Sequence, residues 1–172
     1  VGLSGCSIED TMMVDGNPSY DFELAVERIK AAVCAARALG QPFILCARTD
    51  GVMNGTYDTN EAIRRAQAFE AAGADLLYAP VLPDMAALAR FVHSLSKPVN
   101  ALAAGAPQQA TVAEIAAFGV RRISTGSQIA RLTHAAIRDS VVAMLDHGSF
   151  APLAGTASGD EIDALLLKGS KT

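Results

Sequence analysis

The sequence contains no tryptophan, only 5% aromatic residues, three cysteines and three histidines in 172 residues. Cys6, Cys34 and Cys46 are odd in number and form neither a CxxC pair nor a Cys/His cluster, so a zinc-binding module is excluded. Their apolar surroundings predict buried, reduced thiols and a cytoplasmic location. No apolar run reaches the ~20 residues that cross a bilayer, and there is no signal-peptide pattern, so a membrane partner is not expected. Basic clusters are also missing. The 14 Lys and Arg are dispersed and the net charge is −4, which argues against nucleic acid as a partner. Neither GxGxxG nor GxxxxGK[ST] occurs, which removes the phosphate loops of the common nucleotide-binding folds. His93, His134 and His147 all fall in helical patterns, and no Ser-His-Asp arrangement can be assembled from them.

What the chain does have is small apolar residues: it is 51% hydrophobic and rich in alanine. That profile suits helices packed closely on a parallel sheet. Five short apolar runs read as strands, at 1–8, 43–47, 75–79, 99–103 and 120–124. Helical patterns lie between and after them, at 21–39, 59–72, 84–95, 111–118 and 127–147. Gly40, Gly73, Gly119 and Gly148 supply helix stops. The spacings Asp58 to Glu61, Thr111 to Glu114 and Ser158 to Glu161 are those of capping boxes. Strict alternation of strand and helix predicts right-handed βαβ crossovers and a parallel sheet.

A closed (β/α)8 barrel is favoured over an open doubly wound sheet, because polar residues gather where the strands end. Those residues are Glu9 and Asp10, Arg48 and Asp50, Tyr78, Asn100, and Ser124 through Ser127. Five units fall short of eight, and a complete barrel needs about 250 residues. An open arc would also expose two strand edges. The expectation is therefore an α/β chain supplying roughly strands 4 to 8 of a TIM-type barrel plus a C-terminal helix. The front strands would lie outside this sequence or come from a separate piece. Residues 1–150 would carry the five units and 151–172 a tail.

The strand-end residues suggest chemistry. Glu9 or Asp10 could hold a hard cation partly through water, as Mg²⁺ prefers, or Asp10 could anchor a loop. Arg48 could grip a carboxylate or phosphate through two hydrogen bonds, or only bridge to Asp50 or Glu9. Asn100 offers a donor and an acceptor, and could equally be a satisfied loop amide. Ser124 to Ser127 could present an anion site or simply cap a helix. Arg121 and Arg122, at the start of the last strand, are expected to form ion pairs at the barrel's opposite end.

Taken in order, GCSIED at 5–10, AVERIKAAVCAA at 25–36, ARTD at 47–50, AAGAD at 71–75, KPVN at 97–100 and GVRRISTG at 119–126 resemble the isocitrate lyase and phosphoenolpyruvate mutase superfamily. The resemblance implies a Mg²⁺-dependent lyase or mutase acting on a small α-oxo carboxylate, making or breaking C–C or P–C bonds through an enolpyruvate-like intermediate. It implies Glu9 in the metal shell and catalytic roles for Arg48 and Glu9. Arg48, Asn100, Ser124 and Asp50 would line the substrate site. The family's aspartate-rich metal motif does not occur in the sequence. The segment 11–20 also lacks the Lys-Lys/Arg-Cys-Gly-His loop of the lyase branch, which points to phosphonomutase-like or oxaloacetate hydrolase and decarboxylase branches. The alternative is an inactive barrel remnant that binds a carboxylate or serves only in assembly. The apolar stripe Ile162, Leu165 and Leu166 on a last helix at 160–168 needs a partner; the resemblance implies packing on a neighbouring subunit in a dimer or tetramer, and packing on the chain's own barrel is the alternative.

Overall fold

Alternate residues of each strand enter two different environments, and that division organises the molecule. The structure is a computed structural model describing residues 2–170. It divides into two compact units, Val1–Gly126 and Ser127–Thr172.

The first unit contains strands β1 (Gly5–Glu9), β2 (Ile44–Arg48), β3 (Leu76–Tyr78), β4 (Val99–Leu102) and β5 (Arg122–Ser124). All are parallel and lie side by side in sequence order. A doubly wound sheet reverses its strand order at a switch point. This sheet has no reversal, so it is an arc of a (β/α)8 barrel, as expected from the alternation of elements. Between the strands run α1 (Phe22–Arg37), the short α2 (Gly51–Asn54), α3 (Thr59–Ala71), α4 (Met85–His93) and α5 (Val112–Ala117).

One face of the sheet packs on the helices. Leu45, Ala47, Leu77 and Val99 meet Ile29 of α1, Phe69 of α3 and Phe91 of α4 in one continuous core. Alanines such as Ala62 and Ala66 let helix and sheet approach closely, which explains a sound core with few aromatics. Phe69 and Phe91 are fully buried; truncating either to Ala would cost about 3–5 kcal/mol. The opposite, inner face carries Cys46, Leu76 and Tyr78, with Leu102 packed against them.

Register partners in a sheet share a face. Glu9 pairs with Arg48, Arg48 with Tyr78, Tyr78 with Asn100, and Asn100 with Arg122. One row of inner-face side chains therefore collects residues from all five strands.

Helix ends follow the sequence. Thr111 with Glu114 forms a reciprocal capping box. Asp58 caps α3 through the backbone N–H groups of Asn60 and Glu61, but Glu61 turns away to Arg64 and Arg65 and does not reciprocate. Gly73 and Gly119 take positive φ where their helices stop.

Several sequence expectations shift. The first strand begins at Gly5 rather than at the chain start, and Val1 lies outside the described residues. Cys6 and Cys34 are exposed, and only Cys46 is buried. Cys6 sits on β1, which among the described strands has a neighbour on one side only.

The second unit consists of α6 (Gln128–His147), a 3-10 turn (Ala151–Gly155) and α7 (Gly159–Gly169). Gly148 closes α6 in the left-handed conformation, and Ser158 with Glu161 forms the capping box of α7. Ile162, Leu165 and Leu166 of α7 are exposed.

Candidate active site

Because β1 and β2 run parallel and in register, their last residues meet at one rim. Glu9 Oε1 lies 2.7 Å from a terminal nitrogen of Arg48. Asp50 follows two residues after Arg48 and takes the other side of the guanidinium: Nε donates to Oδ1 at 3.1 Å and a terminal N–H to Oδ2 at 2.8 Å. Arg48 also lies over the Tyr78 ring, 5.0 Å from its centroid. A guanidinium has five N–H donors. Three are engaged by Glu9 and Asp50, which leaves one on each terminal nitrogen for a ligand.

Burial opposes the charge on Arg48, but Asp50 and Glu9 outweigh it and hold the group above its ordinary range. Burial pushes Asp50 up to about 6, although Arg48 pulls it down. The pair is thus ionised at neutral pH. One positive and two negative charges leave this cluster at −1.

Asp50 is only 1% exposed, and its place is fixed from below. Its backbone N–H donates to Asp10 Oδ1 at 2.8 Å. Asp10, 2% exposed, accepts on its other oxygen from the Tyr57 hydroxyl at 2.6 Å and from Arg65 at 3.1 Å. Arg65 also reaches the Tyr20 carbonyl and Glu61. Asp10 therefore ties the segment after β1 to the segment after β2 and to α3, the loop-anchoring role allowed for it. Gly51 is required beside this hub, because a Cβ there would run into the Tyr57 ring.

The segment after β1 is a closed turn rather than an open flap. Thr11 bridges Ser19, and the Met12 N–H donates to the Pro18 carbonyl at 2.8 Å. Asn54 holds it from α2 by donating to the Thr11 hydroxyl.

A second group lies along the same inner-face row. Asn100, 1% exposed, donates from Nδ2 to the Ser124 hydroxyl at 3.0 Å. Its Oδ1 accepts from Arg122 at 3.1 Å. This corrects the ion-pair reading of Arg122. Among the described residues neither Arg121 nor Arg122 joins a salt bridge, and Arg122 turns onto the inner face because it sits two residues before Ser124. That period-2 relation was available in the sequence. Tyr57 and Arg65 were not anticipated, since nothing local links them to a strand end. Ser127 makes no side-chain cap hydrogen bond and begins the second unit.

Among the described residues no three His, Cys, Asp or Glu side chains converge in a metal-binding cluster. Glu9 is the half-exposed carboxylate of the rim with an oxygen not paired to protein. It fits a single ligand position of a hydrated Mg²⁺, the remainder coming from water, substrate or other protein residues. No helix among the described residues is long and apolar enough to cross a membrane.

These features define an α/β-barrel arc with an acid and a guanidinium fixed at the C-terminal rim of its strands. The phosphoenolpyruvate phosphomutase family model matches residues 1–145, and the chain belongs to that family. "Probable 2-methylisocitrate lyase 1" of Corynebacterium glutamicum is 35% identical over 100 residues, covering 55% of this chain and 32% of that protein. Oxaloacetate decarboxylase of Paraburkholderia xenovorans is 31% identical over 149 residues, covering 81% of this chain and 47% of that protein. A solved lyase/mutase-type protein from Burkholderia cenocepacia J2315 superposes with a TM-score of 0.89 at 36% identity, covering 96% of this chain and 59% of that one. The chain therefore spans about half the length, or less, of these curated relatives.

Proposed function

We propose that the whole protein is a Mg²⁺-dependent lyase or mutase of small α-oxo carboxylates, cleaving or forming a C–C or P–C bond through an enolpyruvate-like anion. The observation that carries this reading is Arg48. It is clamped by Glu9 and Asp50, and its two spare donors are those a carboxylate or enolate oxygen would take.

The residues divide the work. Arg48 binds and orients the substrate oxyanion and stabilises charge as it develops. Asp50 acts through Arg48, fixing its plane. Asn100 and Ser124 border the same inner face and supply polar contacts to the substrate. Glu9 belongs to the Mg²⁺ shell. A cluster at −1 repels an anionic substrate, so bound Mg²⁺ would supply the missing positive charge and polarise the oxo group.

Residues 1–150 are read as the barrel units and 151–172 as a tail. The exposed Leu165 and Leu166 support α7 as a contact between subunits of a homo-oligomer. The unpaired cysteines support a cytoplasmic location.

The test is turnover of oxaloacetate, phosphonopyruvate and methylisocitrate by the full-length protein, with and without EDTA. Metal-dependent turnover of one of them is expected. No turnover of any, with Mg²⁺ saturating, would refute the reading and leave the inactive carboxylate-binding remnant.

A further inference from the structure

Asp50 occupies the N-cap position of α2, where an aspartate ordinarily turns an oxygen back onto its own helix. Here it makes no such bond, because both of its oxygens go to Arg48. The helix therefore does not hold the Asp50 side chain. What holds the residue is the bond from its backbone N–H to Asp10 Oδ1, and that bond is only as firm as the plane of the Asp10 carboxylate. The last torsion of an aspartate is broad and sets no plane by itself. The plane is set at the other oxygen, where Oδ2 accepts from the Tyr57 hydroxyl at 2.6 Å and from Arg65 at 3.1 Å. Arg65 divides its remaining donors between Glu61 and the Tyr20 carbonyl, so the Tyr57 hydroxyl is the donor committed to Asp10 alone.

We propose that Tyr57 is a positioning residue for the oxyanion-binding Arg48, acting along one route: Tyr57 hydroxyl, Asp10 carboxylate, Asp50 backbone N–H, Asp50 carboxylate, Arg48 guanidinium. Every link on that route is a hydrogen bond of 3.1 Å or less. The proposal rests on the reading of Arg48 as the group that receives the substrate oxyanion, and it extends the site to a residue that does not touch substrate.

Removing the hydroxyl leaves Oδ2 of Asp10 with Arg65 only, a donor shared with two other acceptors. The carboxylate then turns, and Oδ1 swings off the Asp50 N–H. Asp50 and the guanidinium, joined by two bonds, move as one plane, and the two spare N–H groups of Arg48 move with it. Glu9 meets a single terminal nitrogen and cannot hold that plane alone. A misplacement of about 1 Å at a reacting centre is enough to cost a large factor in rate. The ring of Tyr57 has a separate duty: it fills the space beside Gly51 that a Cβ would take, and Arg65 lies 4.9 Å from its centroid. Tyr57→Phe keeps that packing and deletes only the hydroxyl.

The test is a double-mutant cycle in the full-length protein, read by kcat/KM for oxaloacetate with Mg²⁺ and by calorimetric binding of oxalate, both well below the melting temperature of every variant. Tyr57→Phe should lower kcat/KM and oxalate affinity by about tenfold. In an Asp50→Ala background, where the route is already cut, the same substitution should change either quantity by less than about twofold. Ile29→Val, in the helix–sheet core, lowers stability without touching the route and should leave both quantities unchanged. Three results would overturn the proposal: Tyr57→Phe within about twofold of the unmodified protein, the same loss with and without Asp50, or an equal loss in Ile29→Val. If any of these occurs while Arg48→Ala abolishes turnover and oxalate binding, the site reading stands without the Tyr57 route. If Arg48→Ala is fully active, or the unmodified protein neither turns over oxaloacetate nor binds oxalate, the site reading fails and takes the proposal with it.

Discussion

Replacing Asp10 by alanine should do more damage than replacing any other single carboxylate in the described structure. Asp10 is buried, and three donors converge on it: the Asp50 backbone N–H, the Tyr57 hydroxyl and Arg65. Asp10→Ala strands all three. An unsatisfied buried donor costs about 1–3 kcal/mol, and removing one partner of a buried ion pair costs about 3–5 kcal/mol. These overlap, because Glu61 still compensates Arg65 in part. The expected loss is therefore about 3–5 kcal/mol rather than the sum. Denaturant unfolding of the full-length protein and its Asp10→Ala variant measures it. Asp10→Asn keeps an oxygen for the Asp50 N–H and should recover part of the loss. A destabilisation below about 1 kcal/mol for Asp10→Ala would show that the three contacts are not a unit, and the account of how Arg48 is positioned would fall.

Two further outcomes follow from titration and burial. Asp50 is raised from 3.8 to about 6, so its contribution to stability is present below pH 3.8 and is lost as pH rises through 6. Asp50→Asn should flatten the stability profile across that window, and catalysis should fall in acid near pH 6 as Asp50 protonates and Arg48 loses its clamp; an acid limb unmoved by Asp50→Asn would contradict the assignment. Burial pushes the Cys46 thiol up to about 11, whereas Cys6 and Cys34 are exposed. Alkylation at pH 8 followed by peptide mapping should label Cys6 and Cys34 well before Cys46, and equal labelling of all three would refute the burial of Cys46.

The strands and their order were readable because each is a short apolar run bounded by turn residues, and strands buried on a helix layer need that pattern. Glu9 and Arg48 were readable for the same reason: charge placed where an apolar strand surfaces has few other places to go. Long-range partners were not readable. Tyr57 and Arg65 sit 47 and 55 residues from Asp10, and no local pattern joins them. Asp50 was expected to face substrate, while the structure gives both its oxygens to Arg48. Arg122 was expected in an ion pair, whereas as the first residue of β5 it turns inward to the Asn100 oxygen, an orientation that its alternation with Ser124 carries. The exposure of Cys6 and Cys34 was missed because apolar neighbours along a chain do not establish burial when a strand or helix presents one side to solvent.

The central claim is that the acid and the guanidinium at neighbouring strand ends act on one small anion. A crystal structure of the full-length protein with Mg²⁺ and oxalate tests it most directly. Oxalate should sit on the two spare N–H groups of Arg48, with the metal on the Glu9 side. Oxalate bound away from Arg48, or Mg²⁺ held without Glu9 and its waters, would contradict the account.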